Sequence, residues 1–180
     1  MADSNITKNA LAASMKKLMK ERSFSKISVT DICNDCGMNR KSFYYHFKDK
    51  YDLVNWIFYI GFIDNIVSKE YKNSWELFAD ICTHFFEEKD FYQKALMIEG
   101  QNSFRDYFFQ ILYPMVEFFV KDSLTDSVEQ EFLITFVCDA IISSLVRWLS
   151  EGVQMPLEQF LEEMQSVMVI LAERIIEEYK

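Results

Sequence analysis

The densest cluster of side chains able to do chemistry is Arg40-Lys41-Ser42-Phe43-Tyr44-Tyr45-His46-Phe47-Lys48-Asp49-Lys50. Guanidinium, ammonium, hydroxyl and aromatic groups together suit the phosphate oxygens and base edges of a duplex. The spacing orders them. On a helix, turning Phe43 and Phe47 inward puts Lys41, Tyr45 and Lys48 on the opposite face, with Ser42 and Tyr44 flanking it. Arg40 stands near the N-terminus of that helix. Lys50 opens the next one, where its ammonium and the first backbone N–H groups are expected to hold a phosphate.

Two other constellations have the residue types of a metal or redox site. Cys33-Asn-Asp-Cys36 supplies two thiols, but a structural zinc site needs two further ligands and no second Cys-x-x-Cys exists. Cys82 and His84 are two residues apart in a helical pattern and point in different directions, so they do not share an ion. No metal or cofactor is expected. A nucleophile triad, a phosphate-cradling glycine loop and a metalloprotease helix are all missing from the sequence, so catalysis is not expected either.

The elements that must position the basic cluster are helices. Half of the 180 residues are hydrophobic, and only four Gly and two Pro interrupt them. An all-α fold is predicted, with a helix-turn-helix at residues 28–47. Ala10, Leu11, Ser14, Met15, Leu18 and Met19 share one face of a first helix. Ser28 can cap a second, whose inner face is Val29, Ile32, Cys33 and Cys36. Gly37 ends it, and Asn39 caps the short helix carrying the basic cluster. Asp49 caps a long helix predicted from Tyr51 to Lys72. Further helices are predicted over Trp75 to Glu88, Phe91 to Glu99, and Phe104 to Asp122, bent or interrupted at Pro114. Two long helices, Ser127 to Glu151 and Pro156 to Tyr179, close the chain.

These last two carry apolar stripes wide enough to face both their own core and a second copy. The predicted pairing surface is Phe136, Ala140, Ser144 and Trp148 with Met164, Met168 and Leu171. Small Ala140 and Ser144, one turn apart, permit close approach. Aromatic residues of the middle helices, among them Trp75, Phe85, Phe104 and Phe108, could line a cavity for a small apolar or aromatic effector, but at helical spacing such residues are more often core, and no effector-binding residue is assigned.

Charge divides the chain at residue 50. Residues 1–50 carry +5 and residues 51–180 carry −14, so a basic head (1–50) is joined to an acidic body (51–180). Such a protein can dock on nucleic acid by its head. Without a secretory signal or an uninterrupted apolar run of spanning length, a cytoplasmic protein with reduced cysteines and no membrane association is expected.

Ile27-Ser28-Val29-Thr30-Asp31-Ile32-Cys33, followed by Cys36-Gly37-Met38-Asn39 and the cluster through Lys50, closely resembles the N-terminal signature of TetR-type transcriptional regulators. That resemblance implies DNA contacts at Ser28, Arg40, Lys41, Ser42, Tyr44, Tyr45, His46 and Lys50. Lys41 stands where many relatives have a small residue. Cys33 and Cys36 occupy positions where the family pattern uses small apolar residues. The continuation Lys50-Tyr-Asp-Leu-Val-Asn-Trp-Ile-Phe58 is similar to the branch containing regulators of dihydroxyacetone kinase operons.

The resemblance implies a homodimer formed by the last two helices, binding a palindromic double-stranded DNA operator with an affinity set by a small effector. One alternative is an activator controlled by a protein co-regulator, an arrangement found in the dihydroxyacetone kinase branch. Another is a helical enzyme or adaptor with no DNA role.

Overall fold

The computed structural model describes residues 2–63, 66, 69–100, 102–120, 128–151 and 154–178, and these contain helices and no strand. The head holds α1 (Ala2–Glu21), a 3-10 turn (Phe24–Lys26), α2 (Val29–Asp35) and α3 (Arg40–His46). From the head α4 (Lys50–Phe58) enters the body and runs on as a π-helical turn, Tyr59–Ile63. The body adds α5 (Ser74–Glu87), α6 (Lys89–Ala95), α7 (Phe104–Val120), α8 (Val128–Ser150) and α9 (Leu157–Glu178).

In the head, α1 buries Leu11, Met15, Leu18 and Met19 against Ile27, Ile32, Cys33, Phe43 and Phe47. Ser14 shares that buried face because its hydroxyl donates to the carbonyl of Ile32 at 3.0 Å, which satisfies a polar group that burial alone would penalise. Lys17 on the same helix pairs with Asp35 at the end of α2.

The body core is built of rings. Phe58 lies 5.4–5.6 Å from Phe85, Phe104 and Phe108, and 5.5 Å from Phe62. His84 sits among them with its Nε2 2.8 Å from the Tyr92 hydroxyl. Burial, with Lys16 nearby, pushes the imidazole down to about 4, so it packs as a neutral ring.

Two expectations about helix ends are corrected. The helix predicted to Lys72 leaves α geometry after Phe58. A Cβ at Gly61 would lie 3.3 Å from the His84 ring, so the π turn brings bare backbone against that imidazole. Residues 69–72 are not helical, and Lys69 (2.6 Å) and Tyr71 (2.8 Å) both turn back to Asp80 on α5. The helix predicted to Glu99 ends at Ala95, and the loop beyond it includes left-handed Gly100 and Asn102. Pro114 lies inside α7, which continues past it; the residue is exposed, so the main-chain bond it forfeits faces solvent.

The predicted pairing surface is also re-sorted. Phe136 and Ala140 are exposed and Ser144 is half-buried, whereas Trp148 is only 5% exposed. Its indole stacks on Phe160 at 4.4 Å and lies 5.9 Å from Phe86, and its Nε1 donates to the carbonyl of Met155 at 2.8 Å. Trp148 is therefore a core residue of its own chain. Met164 and Met168 are half-buried against that core, while Val167 and Ile170 face outward. The side chain of Leu171 lies outside the described residues.

Candidate nucleic-acid interface

Local hydrogen bonds place α3 with little freedom. Ser28 and Asp31 form a reciprocal capping box at the start of α2: the Ser28 N–H reaches Asp31 Oδ2 at 2.8 Å, and Asp31 N–H reaches Ser28 Oγ at 3.1 Å. Gly37, at φ +69°, reverses the chain at the other end. Its N–H bonds the carbonyl of Asn34, and the next N–H, of Met38, bonds that of Cys33 at 2.8 Å. Asn39 Oδ1 then accepts the Ser42 N–H at 2.9 Å and opens α3. Phe43 and Phe47 are buried with ring centroids 5.8 Å apart, and Phe47 meets Trp56 of α4 at 5.6 Å.

With those rings inward, α3 presents one outward face. Tyr45 is 82% exposed, Tyr44 is half exposed, and Arg40 and Lys41 are exposed beside them. The Arg40 guanidinium lies 5.7 Å from the Tyr44 ring, with Nη2 3.5 Å from its hydroxyl. The Tyr44 hydroxyl accordingly raises the Arg40 pKa. His46 is half-buried, edge-on to Tyr45 at 4.9 Å. Cationic and aromatic-hydroxyl groups on one short helix can bond phosphates and base edges together.

Ser42 lies half-buried at the flank, its hydroxyl donating to Asn39 Oδ1 at 3.3 Å. Ser28 is exposed but sits in the capping box of α2, away from the α3 face, with its hydroxyl donating to Asp31 Oδ2 at 2.6 Å.

Lys50 departs from its expected role. Its ammonium turns inward and donates to the carbonyls of Phe24 and Ile27, each at 2.8 Å, above the Phe24 ring at 4.2 Å. Burial lowers its pKa. The first amides of α4 do not await a phosphate either, since Asp49 accepts from Tyr51 at 2.8 Å and from Asp52 at 2.9 Å. Lys50 is thus a clamp on the α1–α2 connection. Lys50→Met is expected to destabilise the head by about 1–3 kcal/mol, since the Ile27 carbonyl loses the ammonium and that of Phe24 keeps only the Ile27 N–H. Thermal melting checks this. A salt slope reduced by about one unit with melting unchanged would restore the phosphate role.

The cysteines are not arranged as a ligand set. The Cys36 thiol donates to the carbonyl of Ile32 at 3.2 Å, and burial raises the pKa of both Cys33 and Cys36. No group of three or more His, Cys, Asp or Glu able to hold a metal occurs among the described residues.

Residues 11–57 match the family described as bacterial regulatory proteins, tetR family, and residues 72–169 match a transcriptional regulator C-terminal region. The chain belongs to the TetR family. It is a DNA-binding transcriptional regulator and not an enzyme.

Over 100 residues the regulator is 30% identical to the HTH-type dhaKLM operon transcriptional activator DhaS of Lactococcus lactis subsp. lactis, which agrees with the branch suggested by residues 50–58. That match spans 55% of this chain and 54% of the relative, about half its length. Two solved structures share the fold. A dihydroxyacetone kinase operon activator, DhaS, superposes with a TM-score of 0.67 at 24% identity, covering 95% of this chain and 97% of its own. NalD, the secondary repressor of the MexAB-OprM multidrug efflux pump in Pseudomonas aeruginosa, gives 0.64 at 16% identity, covering 93% and 95%.

Proposed function

We propose that the regulator is a cytoplasmic homodimer that inserts one α3 from each copy into a two-fold symmetric operator. The outward face of α3, with Tyr45 at 82% exposure beside Arg40, Lys41 and Tyr44, carries this reading. In this reading His46 and Ser42 flank the base contacts, and Ser28 offers its exposed position to the phosphate backbone. Residues 1–50 act as the head and 51–180 as the sensing and pairing body.

Pairing is supported by the exposed apolar residues Phe132, Phe136 and Ala140 on α8 and, on α9, Val167 and Ile170. Gln130–Ser150 has the length and mean hydropathy, 1.8, to cross a membrane, yet Asp139 and Arg147 lie within it. A second copy covers such a face more readily than lipid does. Ala140→Arg is expected to give monomers in sedimentation and to abolish tight operator binding, because pairing would desolvate the new charge. Phe132→Asp provides a second disruption of the same stripe.

The body receives the signal that changes operator affinity. An open apolar groove of about 530 Å³, lined by Ile63, Leu77, Ile111, Pro114, Met115 and Phe118 with Gln110 as its polar member, suits an apolar small effector. The second reading is a protein co-regulator. It is favoured by the groove's openness and by Phe118, 67% exposed along it.

Selection from a random duplex library, followed by sedimentation of the complex, tests the central reading. Two wild-type chains per symmetric duplex are expected. Recovery of no preferred sequence, even at low salt, would overturn operator recognition.

A further inference from the structure

α1 is bound into the head by Ser14 on Ile32 and by Lys17 on Asp35, so wherever α1 points, α2 and α3 follow. Its last carbonyls have no partner inside the helix. That of Leu18 accepts the Arg22 N–H at 3.0 Å. Those of Met19 and Lys20 accept the ammonium of Lys94, on α6 of the body, at 2.5 and 3.0 Å. A cation at this helix end also opposes the negative pole of the helix dipole. Further along the same seam Lys16 pairs with Glu88 at 3.1 Å, and its ammonium stands 5.6 Å from the Phe91 ring. Beside these contacts lies an open cleft of about 500 Å³, lined among others by Lys17, Lys20, Glu87 and Lys89. At the border of this cleft Lys94 and Lys16 supply discrete polar contacts between the two helices. The head is joined to the body covalently through α4, and non-covalently both where Phe24 and Phe47 meet Tyr51 and Trp56 of α4 and along this seam to α6.

We propose that Lys94 is a positioning residue for DNA binding: by holding the C-terminal carbonyls of α1 to α6, it sets the orientation of the head, and of α3, on the body. Lys94 is on neither α3 nor the α8–α9 stripe, so its influence on DNA passes through α1. With Lys94 in place the two heads of a dimer stand at one separation. Without it they sample several, and an operator of fixed half-site spacing loses part of its advantage over other duplexes. The inference rests on the dimeric operator reading for its DNA measurements alone; the clamp itself does not depend on it.

The test compares Lys94→Met, which keeps the aliphatic stem, and Lys94→Arg, which keeps the charge, with the wild type. The duplexes are the selected operator, versions with one base pair added or removed between half-sites, and a random duplex. Lys94→Met is expected to bind the operator about 5- to 150-fold more weakly, the usual range for coupling between distant sites. It should also show a flattened dependence on half-site spacing and unchanged binding to the random duplex. Lys94→Arg should recover the wild-type spacing profile, a result that a role in stability alone would not produce.

A folded, dimeric Lys94→Met with wild-type operator affinity and spacing profile overturns the proposal. Should the methionine variant not fold, Lys94→Gln, neutral but still a donor, is held to the same outcomes. If the wild type itself prefers no duplex, the operator reading fails instead, and the clamp is judged by amide exchange at Leu18–Arg22. Faster exchange there in the variant supports the clamp, and unchanged exchange overturns it.

Discussion

Trp148→Ala is expected to cost about 3–5 kcal/mol of stability, the range for truncating a large buried aromatic. Its indole fills the space between Phe86 and Phe160, and its Nε1 is the donor for the Met155 carbonyl, which ties the α8–α9 connection to α8. Removing it leaves a cavity beside Phe86 and Phe160 and takes the indole donor from the Met155 carbonyl. Urea unfolding of the wild type, Trp148→Ala and Trp148→Phe separates these effects. Phenylalanine keeps part of the stack but not the donor, and should fall between the other two. A Trp148→Ala protein that unfolds at the wild-type urea concentration but sediments as a monomer would return Trp148 to the subunit interface.

The second large effect is on DNA. Tyr45→Ala and Lys41→Ala should each weaken operator binding by about 1–3 kcal/mol if they contact base edges. Both side chains are exposed on the far side of α3 from Phe43, so melting temperature should not change. The two losses should separate by salt. A lysine on a phosphate shifts the log–log slope by about 0.9 and weakens all duplexes alike, whereas a base contact penalises the operator selectively. Fluorescence anisotropy on operator and random duplex, across a salt series, measures both. Wild-type affinity in both variants would show that another face of the head meets DNA.

How far the sequence reaches is visible residue by residue. Ser28, Asn39 and Asp49 were legible as caps because a cap is chosen within three residues of where it acts. Gly37 was legible as a helix stop for the same reason. Phe43 and Phe47 followed from helical period, and with them the outward direction of Tyr45. The sequence places the charged cluster on and just after one short helix, but not the direction of every member. Lys50 looked like its neighbours in the string, yet its partners are carbonyls 26 and 23 residues earlier. A sequence window shows that an ammonium is present and says nothing about what lies across from it.

The body was less legible for a related reason. Period alone gives a helix its apolar faces without saying which neighbour covers each. Trp148 and Ala140 belong to one predicted stripe, but Trp148 is covered by Phe160 of its own chain and Ala140 remains exposed. The π turn at Tyr59–Ile63 has no local mark beyond Gly61, whose bare backbone faces the imidazole of His84 on another helix.

By itself, then, the sequence determined the helical class, the caps and turn of the DNA-binding motif, the basic head on an acidic body, and the family. All of these depend on composition or on neighbours within about one or two helical turns. Tertiary structure alone decided that Lys50 clamps the head, that Trp148 belongs to the core, and that Lys94 reaches the end of α1 from 75 residues away. A side chain's partner is set by which helices the hydrophobic core brings together, and that assembly is a property of the whole chain rather than of any segment of it.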